Sequence, residues 1–188
     1  MPPRLLAALA GIAGVAIVLL AIFAGGSSSP CHGGLSDPAD LPSHHDAELE
    51  ARIPDTVAGQ SLEVQSVCAN RFGEGGGLTV TPALLESLGV VIDDVTYAAN
   101  TPQIGSELSV SVSAWRYRGA SEDAIRTEML EVAREAGEEF DRVSRAGKEV
   151  DVGRGPMMPE MVFYVEGDTL YMVQGADTEV HEVLEGLP

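Results

Sequence analysis

The chain of 188 residues carries 29 acidic and 11 basic side chains, and its formal net charge at pH 7 is −18. This excess of negative charge argues against nucleic-acid binding and against attachment to an anionic membrane surface, because both need clustered Lys and Arg. Positively charged partners remain possible, and so does the simpler interpretation that the charge keeps the protein soluble.

An apolar segment stands near the N-terminus. It runs from Leu5 to Ala24 without a charged residue, and Arg4 lies just before it. A helix of about 20 apolar residues crosses a bilayer core of about 30 Å, and a positive charge on its N-terminal side places the rest of the chain outside the cytoplasm. We therefore predict a signal anchor in residues 1–26 and a single-pass protein of the cell membrane. A cleaved signal peptide, which would give a secreted protein, is the alternative.

Residues 27–45 are rich in Gly, Ser and Pro, which predicts a flexible linker. Imidazoles at its end and thioethers further along the chain are ligand types that bind copper or zinc. The candidate metal ligands are His44, His45, Met157, Met158 and Met161. The simpler interpretations are a helix cap in Ser43 to Asp46, ahead of the apolar stretch Leu49 to Ile53, and adaptable packing by the methionines. We predict no bound cofactor.

The chain has two cysteines, Cys31 in the linker and Cys68 in the domain. Outside the cytoplasm an isolated pair usually oxidises, which favours a Cys31–Cys68 disulfide that ties the linker to the first strand. Two unpaired thiols are the alternative, with Cys68 buried as a small apolar residue. A lipid on Cys31 is disfavoured because Pro30 precedes it.

Residues 46–188 have the length of one domain. Apolar residues of one parity predict a first strand over 61–68, and Val95 to Ala99 predicts a second. Between them, Thr81-Pro82 marks the start of a helix that Gly89 ends.

A strand that opens near Gly105 has the clearest alternation in the chain. The apolar residues Leu108, Val110, Val112 and Ala114 share one side, and the serines Ser109, Ser111 and Ser113 share the other with Trp115. This pattern predicts a sheet with one buried face and one wetter face. Trp115, Arg116 and Tyr117 form a cationic and aromatic patch at the end of the strand, and such residues are typical of binding hot spots. Ordinary cross-strand packing is the alternative.

The second half of the chain predicts a helix over 122–136 with Ser121 as its cap, then two hairpins, then a helix capped by Asp177. The hairpins turn at Ala146-Gly147-Lys148 and at Glu166-Gly167-Asp168. Because hairpins dominate, we predict an α+β fold with an antiparallel sheet of about six strands and helices packed on one face.

Familiar catalytic motifs are incomplete in this sequence. His181-Glu182 begins like a zinc-protease helix, but Glu185 stands where the second imidazole is required. Gly147-Lys148 resembles the end of a phosphate-binding loop, but Glu149 replaces the required Ser or Thr. We therefore expect a protein that is not an enzyme.

Short phrases such as Ile53-Pro54, Gly147-Lys148-Glu149-Val150 and Gly167-Asp168-Thr169-Leu170 resemble those of uncharacterised exported bacterial proteins with a short leader and one α+β domain. The resemblance implies an extracytoplasmic domain and carries no assigned activity. The sequence thus leads to a membrane-tethered binding module whose partner is a protein or small ligand, with metal handling as the alternative.

Overall fold

The computed structural model describes Cys31 and residues 44–71, 77–100, 108–155 and 158–188. The predicted anchor in residues 1–26 and most of the predicted linker lie outside the described residues. Within the described ranges, no helix is both long enough and apolar enough to cross a membrane.

The strands alternate with few helices, and every neighbouring pair of strands is antiparallel. In chain order they are β1 (Thr56–Val57), β2 (Gln60–Ser61), β3 (Val64–Cys68), β4 (Val95–Asn100), β5 (Ser111–Tyr117), β6 (Glu139–Arg145), β7 (Lys148–Gly155), β8 (Met158–Glu166) and β9 (Thr169–Gln174). The first two form a small hairpin, and the other seven form one sheet in the order β3-β4-β5-β9-β8-β7-β6. The predicted α+β class and antiparallel sheet are confirmed, with seven strands in the main sheet instead of about six.

The described chain contains four α-helices and two short 3-10 helices, Gly77–Val80 and Ile92–Asp94. The α-helices are α1 (Ala47–Glu50), α2 (Pro82–Leu88), α3 (Glu122–Glu135) and α4 (Asp177–Gly186). The predicted caps of α2 and α3 are confirmed, because the hydroxyls of Thr81 and Ser121 accept backbone N–H bonds at 3.2 and 3.3 Å. The other two caps differ from the prediction. Asp46 caps α1 through its side chain, and Ala176 precedes α4, which leaves Asp177 in the first turn.

Both predicted hairpins of the second half are present. The β6–β7 turn places Ala146 and Gly147 at φ angles of 51° and 74°, the left-handed region that suits a two-residue hairpin turn. The β8–β9 turn consists of Gly167 and Asp168 between the paired residues Glu166 and Thr169. Local turn chemistry therefore fixes the register of both hairpins.

Helices cover both faces of the sheet, so the predicted packing on one face is wrong. The first face carries Val112, Ala114 and Val173 and is covered by α1, the β1–β2 hairpin and α4. The second face carries Trp115 and Tyr117, among others, and is covered by α2 and α3. The serines of β5 indicated a wet second face, but the aromatic residues at the end of β5 and the apolar side of α3 bury most of it. Each fully buried Leu- or Val-sized side chain contributes about 1.5–3 kcal/mol to the stability of the fold, so both layers stabilise the domain.

Candidate binding site and the charges around it

A row of side chains crosses four strands on the first face. Cys68 pairs with Thr96 across β3 and β4, Thr96 with Arg116 across β4 and β5, and Arg116 with Thr169 across β5 and β9. Thr96 and Thr169 are fully buried, and Arg116 is 8 % exposed. A buried polar row of this kind is stable only when its members find partners.

Asp46, which caps α1, supplies several of those partners. Its Oδ1 accepts from the backbone N–H of Leu49 at 3.0 Å and lies 3.5 Å from Nη1 of Arg116. Its Oδ2 accepts from the Thr96 hydroxyl at 2.7 Å and from Nη2 of Arg118 at 2.6 Å. One buried carboxylate thus joins α1 to β4 and β5.

Asp168 completes the network from the β8–β9 turn. Its carboxylate accepts from Nε of Arg116 at 3.0 Å and from Nη1 of Arg52 at 3.3 Å, and Arg52 also donates to Thr169 at 2.8 Å. Burial by itself would raise the pKa of the Asp168 carboxyl, but the hydrogen bond and charge of Arg116, with help from Thr169 and Arg52, lower that pKa below its usual value. We name Asp46, Arg52, Arg116, Arg118 and Asp168 the clamp network, because they hold residues 46–52 on the sheet.

A second set of contacts extends the clamp to the sheet edge. The backbone N–H of Asp46 donates to Ser66 Oγ at 2.7 Å, and the Ser66 hydroxyl donates to the Glu50 carboxylate. The exposed imidazole of His44 lies 2.9 Å from the other oxygen of Glu50. His44 therefore has a local partner in the folded domain.

The residues proposed for metal binding are only partly described. His44 is exposed and His45 and Met161 are half-buried, while Met157 and the side chain of Met158 lie outside what the structure describes. Over the described ranges, no group of three or more His, Cys, Asp or Glu side chains is placed to hold a metal ion. Metal handling stays a prediction.

The predicted disulfide is confirmed. Cys31 and Cys68 are joined with an S–S distance of 2.08 Å and a Cα–Cα distance of 5.7 Å. Cys68 ends β3 and lies beside Thr96, so the disulfide stands at the end of the polar row. It fixes part of the predicted linker to the same edge of the sheet that the clamp network holds.

The predicted binding face at Trp115, Arg116 and Tyr117 is inside the protein. Their exposed fractions are 5, 8 and 0 %. The Trp115 ring packs against Tyr97 with ring centroids 4.5 Å apart, and the Tyr117 hydroxyl donates to the carbonyl of Thr79 at 2.8 Å. Burial raises the pKa of Tyr117. An exposed hot spot is therefore not formed here, because α1 and α2–α3 cover opposite sides of this strand end, and the alternative of cross-strand packing holds.

An ion pair joins α3 to the second face. Nε and Nη2 of Arg126 each donate to a carboxylate oxygen of Asp151 on β7 at 2.7 Å. Asp151 is buried, and its carboxylate raises the pKa of the Arg126 guanidinium. Two parallel bonds of this type set the orientation of the helix as well as its position.

A groove of about 500 Å³ lies on the outer side of the second layer, between α2 and α3. Small and apolar side chains form its floor, and glutamates of α3 form one rim. The floor residues are Ala83, Leu84, Val132 and Ala136, with Thr81 at one end, and the rim residues are Glu128, Glu131 and Glu135. Across the described ranges no ion pair involves these three glutamates, in contrast to the clamp network.

The sequence contained part of the signal for this groove. Three glutamates at spacings of three and four residues lie on one side of a helix, and Val132 lies between them. The charged side of α3 is therefore visible in the sequence. Its position opposite the small residues of α2 depends on tertiary packing, which periodicity does not report.

Comparison with protein families, curated proteins and solved structures finds no match to this chain. The resemblance to exported bacterial proteins therefore stays a prediction.

Proposed function

We propose that the protein is an extracytoplasmic domain, tethered to the cell membrane by its N-terminal apolar segment, that binds a partner and does not act as an enzyme. The observation that carries this proposal is the disulfide between Cys31 and Cys68. Structural disulfides persist in oxidising compartments and are rare in the cytosol. The apolar run from Leu5 to Ala24, which precedes the disulfide, supports the same location.

The distribution of charge supports a binding role. The acidic groups of the clamp network and Asp151 bond to arginines of the same chain, so they are used in holding the domain together. The groove between α2 and α3 offers a concave surface with an apolar floor, and the carboxylates at its rim form no ion pair within the described ranges. Concave surfaces with few polar groups are the usual places where proteins bind other molecules.

Location is tested on the full chain in intact cells. Free thiols are first blocked with an alkylating reagent, and the protein is then digested and mapped by mass spectrometry without reduction. We expect a peptide pair joined through Cys31 and Cys68, and digestion of the domain by a protease added outside the membrane. Two alkylated cysteines and a protected domain contradict the proposal.

The binding role is tested by photo-cross-linking in the same cells. A photoreactive residue is placed at exposed positions of helices that cover opposite faces of the sheet, for example Ala83 on α2 and Thr178 on α4. A discrete adduct from one position and not from the others supports a binding surface. The absence of an adduct from every exposed position contradicts a binding module.

A further inference from the structure

We propose that the groove between α2 and α3 is the docking site for a basic amphipathic helix of a partner protein. The proposal rests on the binding role given above and names the surface and the chemistry of the partner. We call Glu128, Glu131 and Glu135 the glutamate rim, and Ala83, Leu84, Val132 and Ala136 the groove floor.

The groove floor accounts for the apolar half of the partner. Ala83 and Ala136 are exposed and have side chains of a single methyl group. Leu84 is buried and Val132 is half-buried. Because the side chains of Ala83 and Ala136 are small, the groove has room for Leu-sized side chains of a partner. A helix that lays its apolar side into such a groove buries area that α2 and α3 leave uncovered.

The glutamate rim accounts for the basic half. Glu128 and Glu135 are seven residues apart on one helix, a separation of about 10 Å along the axis, and Glu131 lies between them. Lys or Arg residues at the same spacing on a helix that runs alongside α3 meet all three carboxylates. Since the rim has no ion pair in the described part of the chain, it does not have to give up an internal partner to bind.

Charge complementarity selects a basic partner over a second copy of this chain. The protein carries 29 acidic and 11 basic residues, so another copy brings further negative charge to a negative rim. Like charges placed opposite each other are unfavourable, whereas a basic segment is attracted over about 10 Å at ordinary salt.

The test uses the purified full-length chain in detergent and a synthetic peptide of 14 residues, the length of α3. The peptide contains Leu and Ala on one side and Lys at the spacing of the rim on the other. A control peptide has Glu in place of each Lys. We expect the basic peptide to bind with a salt-dependent affinity measured by fluorescence anisotropy, and the acidic peptide not to bind. Equal binding of both peptides, or of neither, overturns the proposal.

Two variants locate the binding. The triple change Glu128→Gln, Glu131→Gln and Glu135→Gln is expected to weaken the basic peptide roughly tenfold, because three partly exposed charge pairs each contribute a small factor. Its matched control changes the same amount of charge on the other face of the sheet, at the exposed residues Asp55→Asn, Asp177→Asn and Glu185→Gln. An equal loss in the control means general attraction to a negative protein, and it overturns the proposal.

Filling the groove tests the floor independently of charge. Ala83→Trp places a large ring on the groove floor and is expected to abolish binding, while Thr178→Trp on the exposed side of α4 leaves binding unchanged. Unaltered thermal unfolding shows that each variant is folded. Full binding by Ala83→Trp overturns the proposal, and so does self-association of the chain that this variant removes, since the occupant is then a second copy.

The experiments distinguish a failure of the groove proposal from a failure of the proposed function. A domain that lies outside the membrane with its disulfide formed, but does not bind the basic peptide, retains its proposed role and loses this groove. A domain that proves cytoplasmic and reduced loses its proposed role even if the peptide binds.

Discussion

The interior of the first layer and the outer surface of the second layer hold their acidic side chains in opposite ways. On the first face, the carboxylates of Asp46 and Asp168 are met by three arginines within 3.5 Å and are largely shielded from water. On the outside of the second layer, the glutamate rim has no such partner in the described chain. The number of acidic residues therefore does not tell which of them stabilise the fold and which are accessible to a partner. The positions of the arginines decide this.

The sharpest test of this comparison is Asp46→Ala. The change removes the cap of α1 and leaves Arg116 and Arg118 with a missing partner inside the protein, so we expect the free energy of unfolding to fall by about 3–5 kcal/mol. Urea titration of the full chain measures it. Asp46→Asn keeps the cap and the shape, and provides a milder variant if the alanine form does not fold.

The matched control for that change is Glu48→Ala. Glu48 bonds to the same Arg116 at 3.1 Å, but 74 % of its side chain is exposed. An exposed ion pair contributes about 0–1 kcal/mol. Equal losses for Asp46→Ala and Glu48→Ala are incompatible with a buried clamp network.

The disulfide is expected to have the next largest effect. It joins residues 37 positions apart, and a cross-link over such a loop stabilises a protein by about 2–4 kcal/mol. The double change Cys31→Ser and Cys68→Ser, compared with the oxidised chain by urea titration, tests this value. If the serine form is as stable as the oxidised form, the clamp network alone holds residues 46–52 in place.

A smaller effect follows from the pKa of Asp168. Because the folded pKa is lowered from the ordinary value of about 3.9, the stability that Asp168 contributes is complete above this pH and is lost as the pH falls towards the folded pKa. We expect unfolding free energies measured from pH 6 to acid conditions to fall more steeply for the unmodified chain than for Asp168→Asn. Parallel curves would show that the arginines do not act on this carboxylate.

The smallest effect belongs to the glutamate rim. The triple Gln variant removes like charges that are neighbours on one helix, and each such pair is worth only about 0.2–0.5 kcal/mol, so we expect stability to stay constant or rise slightly. The same urea titration measures it. A loss above about 1 kcal/mol would place these glutamates among the structural acids and remove the contrast between the clamp network and the glutamate rim.

Much of the local structure was predictable from the sequence. The ends of α2 and α3 follow from Thr81, Gly89 and Ser121, whose side chains or backbone freedom act on residues within a few positions. The hairpin turns at Gly147 and Gly167 follow for the same reason. Prediction was less accurate at Asp46 and Ala176, where the choice of cap depends on neighbours distant in the chain.

The candidate site was less predictable. The patch of Trp115, Arg116 and Tyr117 has the composition of an exposed hot spot. Composition does not distinguish an arginine exposed to water from an arginine buried against two carboxylates. Burial is decided by which segments cover the end of β5. Glu48 of α1 and Asp168 contact Arg116 from positions 68 and 52 residues away in the chain.

The helix caps at Thr81 and Ser121, the two hairpin turns of the second half, the antiparallel pairing and the acidic character follow from the sequence, because these depend on residues that are neighbours along the chain. The β1–β2 hairpin and the start of β3 at Val64 did not follow from it. The tertiary structure alone shows that helices cover both faces and that Arg116 is buried in the clamp network. Those features depend on which surfaces meet when distant segments pack. Side chains gain their partners, and lose their solvent, only at that step.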